Sequence, residues 1–74
     1  MTKKDYERVM NIFTCKNLEC KNISINLDNI DYWVEDTDPT VTEIHLKHTN
    51  YSLWIKVDEK TFRKNYIEYK TLYK

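Results

Sequence analysis

The spacing of the apolar residues changes along the chain, and its first pattern predicts a helix. The segment Thr2–Phe13 places its apolar side chains three and four residues apart, at Tyr6, Val9, Met10 and Phe13. This spacing puts them on one face of a helix, and Thr2 with Asp5 has the spacing of a capping box. We therefore expect a short N-terminal helix, although Val9, Ile12 and Phe13 also suit a strand.

From Ile23 the apolar residues recur at every second position, which predicts strands. Ile23–Leu27 alternates apolar and polar residues, as in a half-buried strand. Asp28 and Asn29 have the side chains of a turn, and Tyr32–Val34 is a second short strand. The segment 14–22 has no clear period and predicts a loop, as does Asp36–Thr40 around the only proline.

The clearest pair of strands lies in the middle of the chain. Val41–His48 and Tyr51–Val57 alternate in matching phase, with Thr49 and Asn50 between them. Asn tolerates the positive φ that a tight turn requires. The pattern predicts an antiparallel hairpin.

The last segment has the pattern of an amphipathic helix. Asp58 is a suitable N-cap, and aromatic residues follow at helical spacing: Phe62, Tyr66, Tyr69 and Tyr73. The whole chain therefore predicts an α+β fold with a short N-terminal helix, a three- or four-stranded antiparallel meander and a C-terminal amphipathic helix. A length of 74 residues fits one small domain, residues 1–74.

Alternation also predicts which strand residues share a face. If Tyr32 and Val34 join the core, the other face of the sheet carries Trp33, His45 and Trp54 among polar residues. Exposed aromatic clusters of this kind mark binding surfaces, whereas an N-terminal helix packed on this face would bury the tryptophans instead. The predicted partner-binding residues are Trp33, Glu35, Asp36, Asp38, His45, Trp54 and Lys56.

The composition argues against an enzyme. The chain contains no glycine, so phosphate-cradling loops and the nucleophile elbow are excluded. The carboxylates from Asp28 to Asp38 fall mostly on turns of a domain too small for a deep cleft, where paired acids would acquire separated pKa values. We predict a non-enzymatic protein without a cofactor.

Two cysteines and two histidines raise the question of a metal site. Cys15 and Cys20 with His45 and His48 supply the ligand types of structural zinc. Residues three apart on a strand point to opposite faces, so the two histidines diverge unless His48 lies in the turn. We predict no metal, no disulfide in a reducing cytosol, and both cysteines packed around the loop.

The charges leave nucleic acid as the alternative partner. Twelve basic and twelve acidic side chains balance, which does not favour nucleic acid overall. The C-terminal helix is locally basic, and aromatic residues beside lysines can stack bases. The alternative function is a small nucleic-acid-binding regulator that uses Lys60, Arg63, Lys64 and Lys70.

In its small size, its richness in residues with AT-rich codons (Lys, Asn, Ile, Tyr) and its lack of catalytic motifs, the chain resembles the small host-interaction proteins of phages and mobile elements. These include anti-CRISPRs and other anti-defence inhibitors. The resemblance implies a viral inhibitor that binds a host defence or regulatory protein, in some cases as a homodimer. Charged residues follow Met1 and no long apolar run occurs, so we expect a cytoplasmic protein that does not bind membranes.

Overall fold

In a computed structural model that describes residues 6–72, the chain forms six antiparallel strands and one C-terminal helix. The strands make two three-stranded sheets, ordered β1-β2-β3 and β4-β5-β6. The elements are β1 Tyr6–Val9, β2 Ile12–Lys16, β3 Asn22–Asn26, a short 3₁₀ helix Leu27–Asn29, β4 Ile30–Glu35, β5 Thr42–Leu46, β6 Ser52–Ile55 and α1 Glu59–Leu72. The α+β class and the C-terminal helix are confirmed, whereas the single meander of three or four strands is wrong.

The predicted N-terminal helix is wrong over its described part, which forms a hairpin. β1 pairs with β2 so that Tyr6 lies opposite Cys15 and Val9 opposite Ile12. Met10 takes a φ of 56° in the two-residue turn between them. The β-branched residues and the buried Phe13 favour this strand pairing over a helix. Thr2 and Asp5, the expected capping box, lie outside the described residues.

The loop predicted for residues 14–22 is shorter than expected. Thr14–Lys16 belongs to β2, and the turn begins at Asn17. The side-chain oxygen of Asn17 accepts hydrogen bonds from the backbone N–H groups of Glu19 and Lys21, at 2.9 and 3.0 Å. A polar side chain therefore closes the turn through backbone donors, as asparagine does in turns generally.

Two other turns and the cap of α1 follow the sequence prediction. The side chain of Asn26 accepts from Asp28 N–H at 2.9 Å, and Asp38 accepts from Thr40 N–H at 2.9 Å in the proline-containing loop. Asp58 caps α1, because its carboxylate accepts from Thr61 N–H at 3.1 Å. The predicted hairpin is present as β5 and β6, but its loop spans residues 47–51 instead of Thr49 and Asn50 alone, and the positive φ expected at Asn50 is found at His48.

Helix α1 packs against both sheets through one aromatic side chain. The ring of Phe62 lies 5.3 Å from that of Phe13 in the first sheet and 5.1 Å from that of Trp33 in the second. Near the other end of α1, the Tyr69 hydroxyl donates to Asp28. The buried hydrophobic cluster contains Phe13, Cys15, Ile25, Leu27, Ile30, Ile44, Ile55, Val57, Phe62 and Tyr69.

The predicted aromatic stripe of α1 is confirmed as core as far as it is described. Phe62 and Tyr69 are buried and Tyr66 packs against the same cluster, while Tyr73 lies outside the described residues. None of the helical structure found in residues 6–72 is long and apolar enough to cross a membrane.

Candidate protein-binding site

Trp33 lies on the side of the second sheet that faces α1, whereas the sequence analysis placed it on the opposite side. It stands opposite Ile44, and Ile44 opposite Leu53. Its ring lies 4.9 Å from that of Tyr66, and its indole N–H donates to Glu59 at 3.0 Å. Since a shift of one residue reverses every side chain of a strand, the placement of Tyr32 and Val34 in the core is also wrong.

The opposite side of this sheet is an open face with three apolar side chains. Its residues form two rows across the strands: Tyr32, His45 and Ser52, and next to them Val34, Glu43 and Trp54. We call these six residues the outer face. The exposed fractions of Tyr32, Val34 and Trp54 are 50%, 43% and 40%. The predicted positions of His45 and Trp54 are consistent with this arrangement.

His45 is held from three sides at the centre of the outer face. Its Nδ1 is 3.2 Å from the Ser52 hydroxyl oxygen, and its Nε2 is 3.0 Å from a carboxylate oxygen of Glu43. The Tyr32 ring stacks on the imidazole with centroids 4.2 Å apart and planes 11° apart. These contacts fix the rings in one arrangement before any partner arrives.

The predicted acidic residues lie outside this face. Glu35 follows Trp33 by two residues and shares its side of the sheet, while Asp36 and Asp38 belong to the loop after β4. Glu35 ends β4 and is exposed, and the Asp36 N–H donates to Val41 C=O at 3.2 Å. The backbone N–H and then the hydroxyl of Thr40 hold the pKa of Asp38 below its ordinary value, with a smaller contribution from the charge of Lys56. Lys56 also lies 3.8 Å from the Cys20 sulfur. The predicted set is therefore only partly brought together.

The residues predicted for nucleic-acid binding divide between two sides of α1. Lys60, Arg63 and Lys64 line an open apolar groove together with Ile67 and Leu72. Lys70 lies apart from them, because its ammonium pairs with Asp28 at 3.1 Å. Three of the four predicted residues therefore share a surface.

The cysteines and histidines do not converge. Cys15 is buried in β2, whereas Cys20 is exposed, so the expectation that both cysteines pack around the loop is wrong for Cys20. His45 lies on the outer face, and His48 follows in a turn with a φ of 61°. Within residues 6–72, no group of three or more side chains of metal-ligand type comes together.

We expect the two cysteines to differ sharply in reactivity. Burial raises the pKa of Cys15 to about 12, and only the thiolate attacks a disulfide reagent. In the folded protein a thiol reagent at pH 8 should label Cys20 rapidly and Cys15 only after denaturant is added, as counted by intact mass. Rapid double labelling without denaturant, with the fold intact by circular dichroism, would contradict the placement of Cys15.

Sequence reasoning placed Tyr32 and Val34 in the core, and it left Glu43 and Ser52 out of the predicted binding residues although alternation put them on this face. A signal for their shared face was available in the loop that follows β4. If residues 38 and 39 are the centre of the loop and the strands before and after it are neighbours in the sheet, the register follows. Glu35 then pairs with Thr42 and Val34 with Glu43, as the structure has them. Comparisons of the chain with protein-family models, curated proteins and solved structures returned no match.

Proposed function

We propose that this protein acts by binding another protein through the outer face of its second sheet. The observation that carries the proposal is the exposure of Tyr32, Val34 and Trp54 on one face of the sheet. Tyr and Trp are enriched among the residues that dominate binding energy. Exposed apolar side chains that are grouped on one face of a small protein and flanked by polar residues are typical of an interaction surface.

The fixed geometry of the face favours binding further. Tyr32 and His45 are already stacked, and Glu43 and Ser52 hold both nitrogens of the imidazole. Side chains that are ordered beforehand lose less conformational entropy when a partner binds. The outer face therefore offers aromatic contact area at a low entropic cost.

Ser52, His45 and Glu43, which contact one another on the outer face, have the residue types of a catalytic triad, but we propose binding without catalysis. Nucleophilic catalysis by serine requires donors that are positioned for the developing oxyanion in a site that excludes water. These three side chains lie on the surface of a sheet, next to half-exposed Tyr32 and Trp54. Their mutual contacts hold the imidazole against the aromatic ring of Tyr32.

The partner that we propose is a host protein whose activity is blocked when the outer face covers it. The support is the composition and size of the chain, which resemble those of phage inhibitors, together with a binding surface on a domain of 74 residues. A stoichiometric inhibitor needs one such surface and no catalytic group.

The test is capture from a nuclease-treated bacterial lysate by immobilised protein. We expect the double variant Tyr32→Ala/Trp54→Ala to capture at least about tenfold less of one lysate protein than the wild type does, because aromatic side chains contribute strongly to binding energy. Ile67→Ala on the exposed side of α1 is the matched control and should retain it. Equal capture by the wild type and by a folded double variant would contradict the outer face as the binding site.

The same experiment separates the nucleic-acid alternative, which is favoured by the shared surface of Lys60, Arg63 and Lys64. Binding by that surface would disappear on nuclease treatment and in Lys60→Gln/Lys64→Gln. It would also fall steeply with salt, because each phosphate contact releases counterions. Binding by the outer face should withstand nuclease.

A further inference from the structure

Strand β4 lies at the edge of its sheet, and its backbone has one unpaired side. It is the longest strand, with six residues, and within residues 6–72 it pairs only with β5. The Asp36 N–H donates to Val41 C=O, which fixes the phase of the β4–β5 ladder. Because bonded and non-bonded pairs alternate in antiparallel strands, Val34 and Tyr32 bond to β5. The N–H and C=O groups of Trp33 and Glu35 therefore point to the free edge.

Such an edge is a template for another strand. An extended chain can add to it through main-chain hydrogen bonds, with specificity from alternate side chains. Natural proteins protect edges with charges, prolines or bulges. β4 has a bulge only at its start, between Ile30 and Tyr32, and charges at Asp31 and Glu35. The last four residues of β4 pair with β5 without a shift of register.

The charged side chains of β4 and of the loop that follows it are all acidic. Between Lys21 and Lys47 the sequence has no lysine or arginine, while it has six carboxylates, at Asp28, Asp31, Glu35, Asp36, Asp38 and Glu43. Since the whole chain has a net charge of zero, the other segments carry the compensating excess of six positive charges. Asp31 and Glu35, on β4 itself, are both exposed. The edge therefore favours a cationic strand.

We propose that the free edge of β4 takes an extended, lysine- or arginine-rich segment of the partner protein as a fourth strand of the sheet. This inference rests on the proposed function, since it names the chemistry of the partner. The carboxylates of Asp31 and Glu35 pair with the basic side chains of the incoming strand. Tyr32 and Val34, exposed at the same edge, contact its apolar side chains on the outer face.

A second copy of this chain fits the edge less well. Antiparallel self-pairing centred on Trp33 would place Asp31 opposite Glu35 of the other copy, twice. Like charges directly opposite each other destabilise strand pairs. The phosphates of a nucleic acid would be repelled by the same carboxylates.

The test uses a blocked heptapeptide of alternating lysine and valine as a probe, with amide hydrogen exchange followed by NMR. In the free protein, we expect the Trp33 and Glu35 amides to exchange faster than those of Tyr32 and Val34. Saturating peptide should slow Trp33 and Glu35 at least about tenfold, because edge donors become bonded. Asp31→Asn/Glu35→Gln should weaken peptide binding about tenfold through the loss of two ion pairs.

Two control peptides and one dilution series can refute strand addition at β4. A peptide with glutamate in place of lysine, and the basic peptide N-methylated at alternate residues, should both fail to protect Trp33 and Glu35. Equal binding by either, or no binding of the basic peptide at millimolar concentration, overturns strand addition. Protection that grows with protein concentration alone would assign the edge to a second copy, which also overturns it.

Failure of strand addition can be distinguished from failure of the proposed function. Peptide that perturbs Trp54 and His45 but leaves the Trp33 and Glu35 amides unprotected would overturn strand addition while the outer face remained a binding surface. Loss of capture in Tyr32→Ala/Trp54→Ala is measured separately and does not depend on the edge. Retained capture in that variant would instead refute the proposed function.

Discussion

Phe62→Ala is expected to remove a large part of the stability of the protein. The Phe62 ring is fully buried and contacts aromatic rings of both sheets. Its removal should lower the free energy of unfolding by about 3–5 kcal/mol. A domain of this length has a total stability of roughly 4–11 kcal/mol. Urea and thermal unfolding followed by circular dichroism would measure the change.

The control for Phe62→Ala is Ile67→Ala in the same helix. Ile67 is 54% exposed, so this substitution should change the free energy of unfolding by no more than about 0.5 kcal/mol. A loss below about 1 kcal/mol for Phe62→Ala would mean that α1 does not join the two sheets through this ring.

The C-terminal part of the fold could be predicted because its local and long-range preferences agree. The β5–β6 hairpin has alternation in matching phase, and α1 combines the Asp58 cap with an aromatic stripe. At the N-terminus the two kinds of preference disagree. Tyr6, Val9 and Phe13 have helical spacing, but Tyr6 pairs with Cys15 and Val9 with Ile12. The contacts that favour the strands involve residues further along the chain, because β2 also pairs with β3 and Phe13 packs on Phe62.

The candidate site was harder to predict than the fold, because β4 gives no alternation. Tyr32, Trp33 and Val34 are three apolar residues in a row, so hydrophobicity alone does not show which face is buried. Trp33 is fixed in the core by Phe62, Tyr66 and Glu59, which come at least 26 residues later in the chain. The residues predicted by type alone, His45 and Trp54, keep their expected face because β5 and β6 do alternate.

Substitution of the two tryptophans should lower the stability of the protein to very different extents. Trp33→Ala removes a ring packed on Phe62 and Tyr66 and leaves Glu59 without its indole donor. We expect it to lower the free energy of unfolding by about 2–4 kcal/mol. Trp54→Ala removes a side chain that is 40% exposed, so its stability loss should be about 1 kcal/mol or less. Urea denaturation of both variants gives the comparison.

Fluorescence of the single-tryptophan variants Trp33→Phe and Trp54→Phe tests the same assignment in proteins that stay folded. The variant that retains Trp54 should be quenched by iodide more strongly than the one that retains Trp33, since the Trp33 ring lies between β4 and α1. Capture of the partner should survive Trp33→Phe and fall in Trp54→Ala, because only Trp54 belongs to the outer face. Stronger quenching of Trp33, with loss of capture in Trp33→Phe, would mean that the two faces of the sheet are assigned the wrong way round. It would also contradict the proposed site.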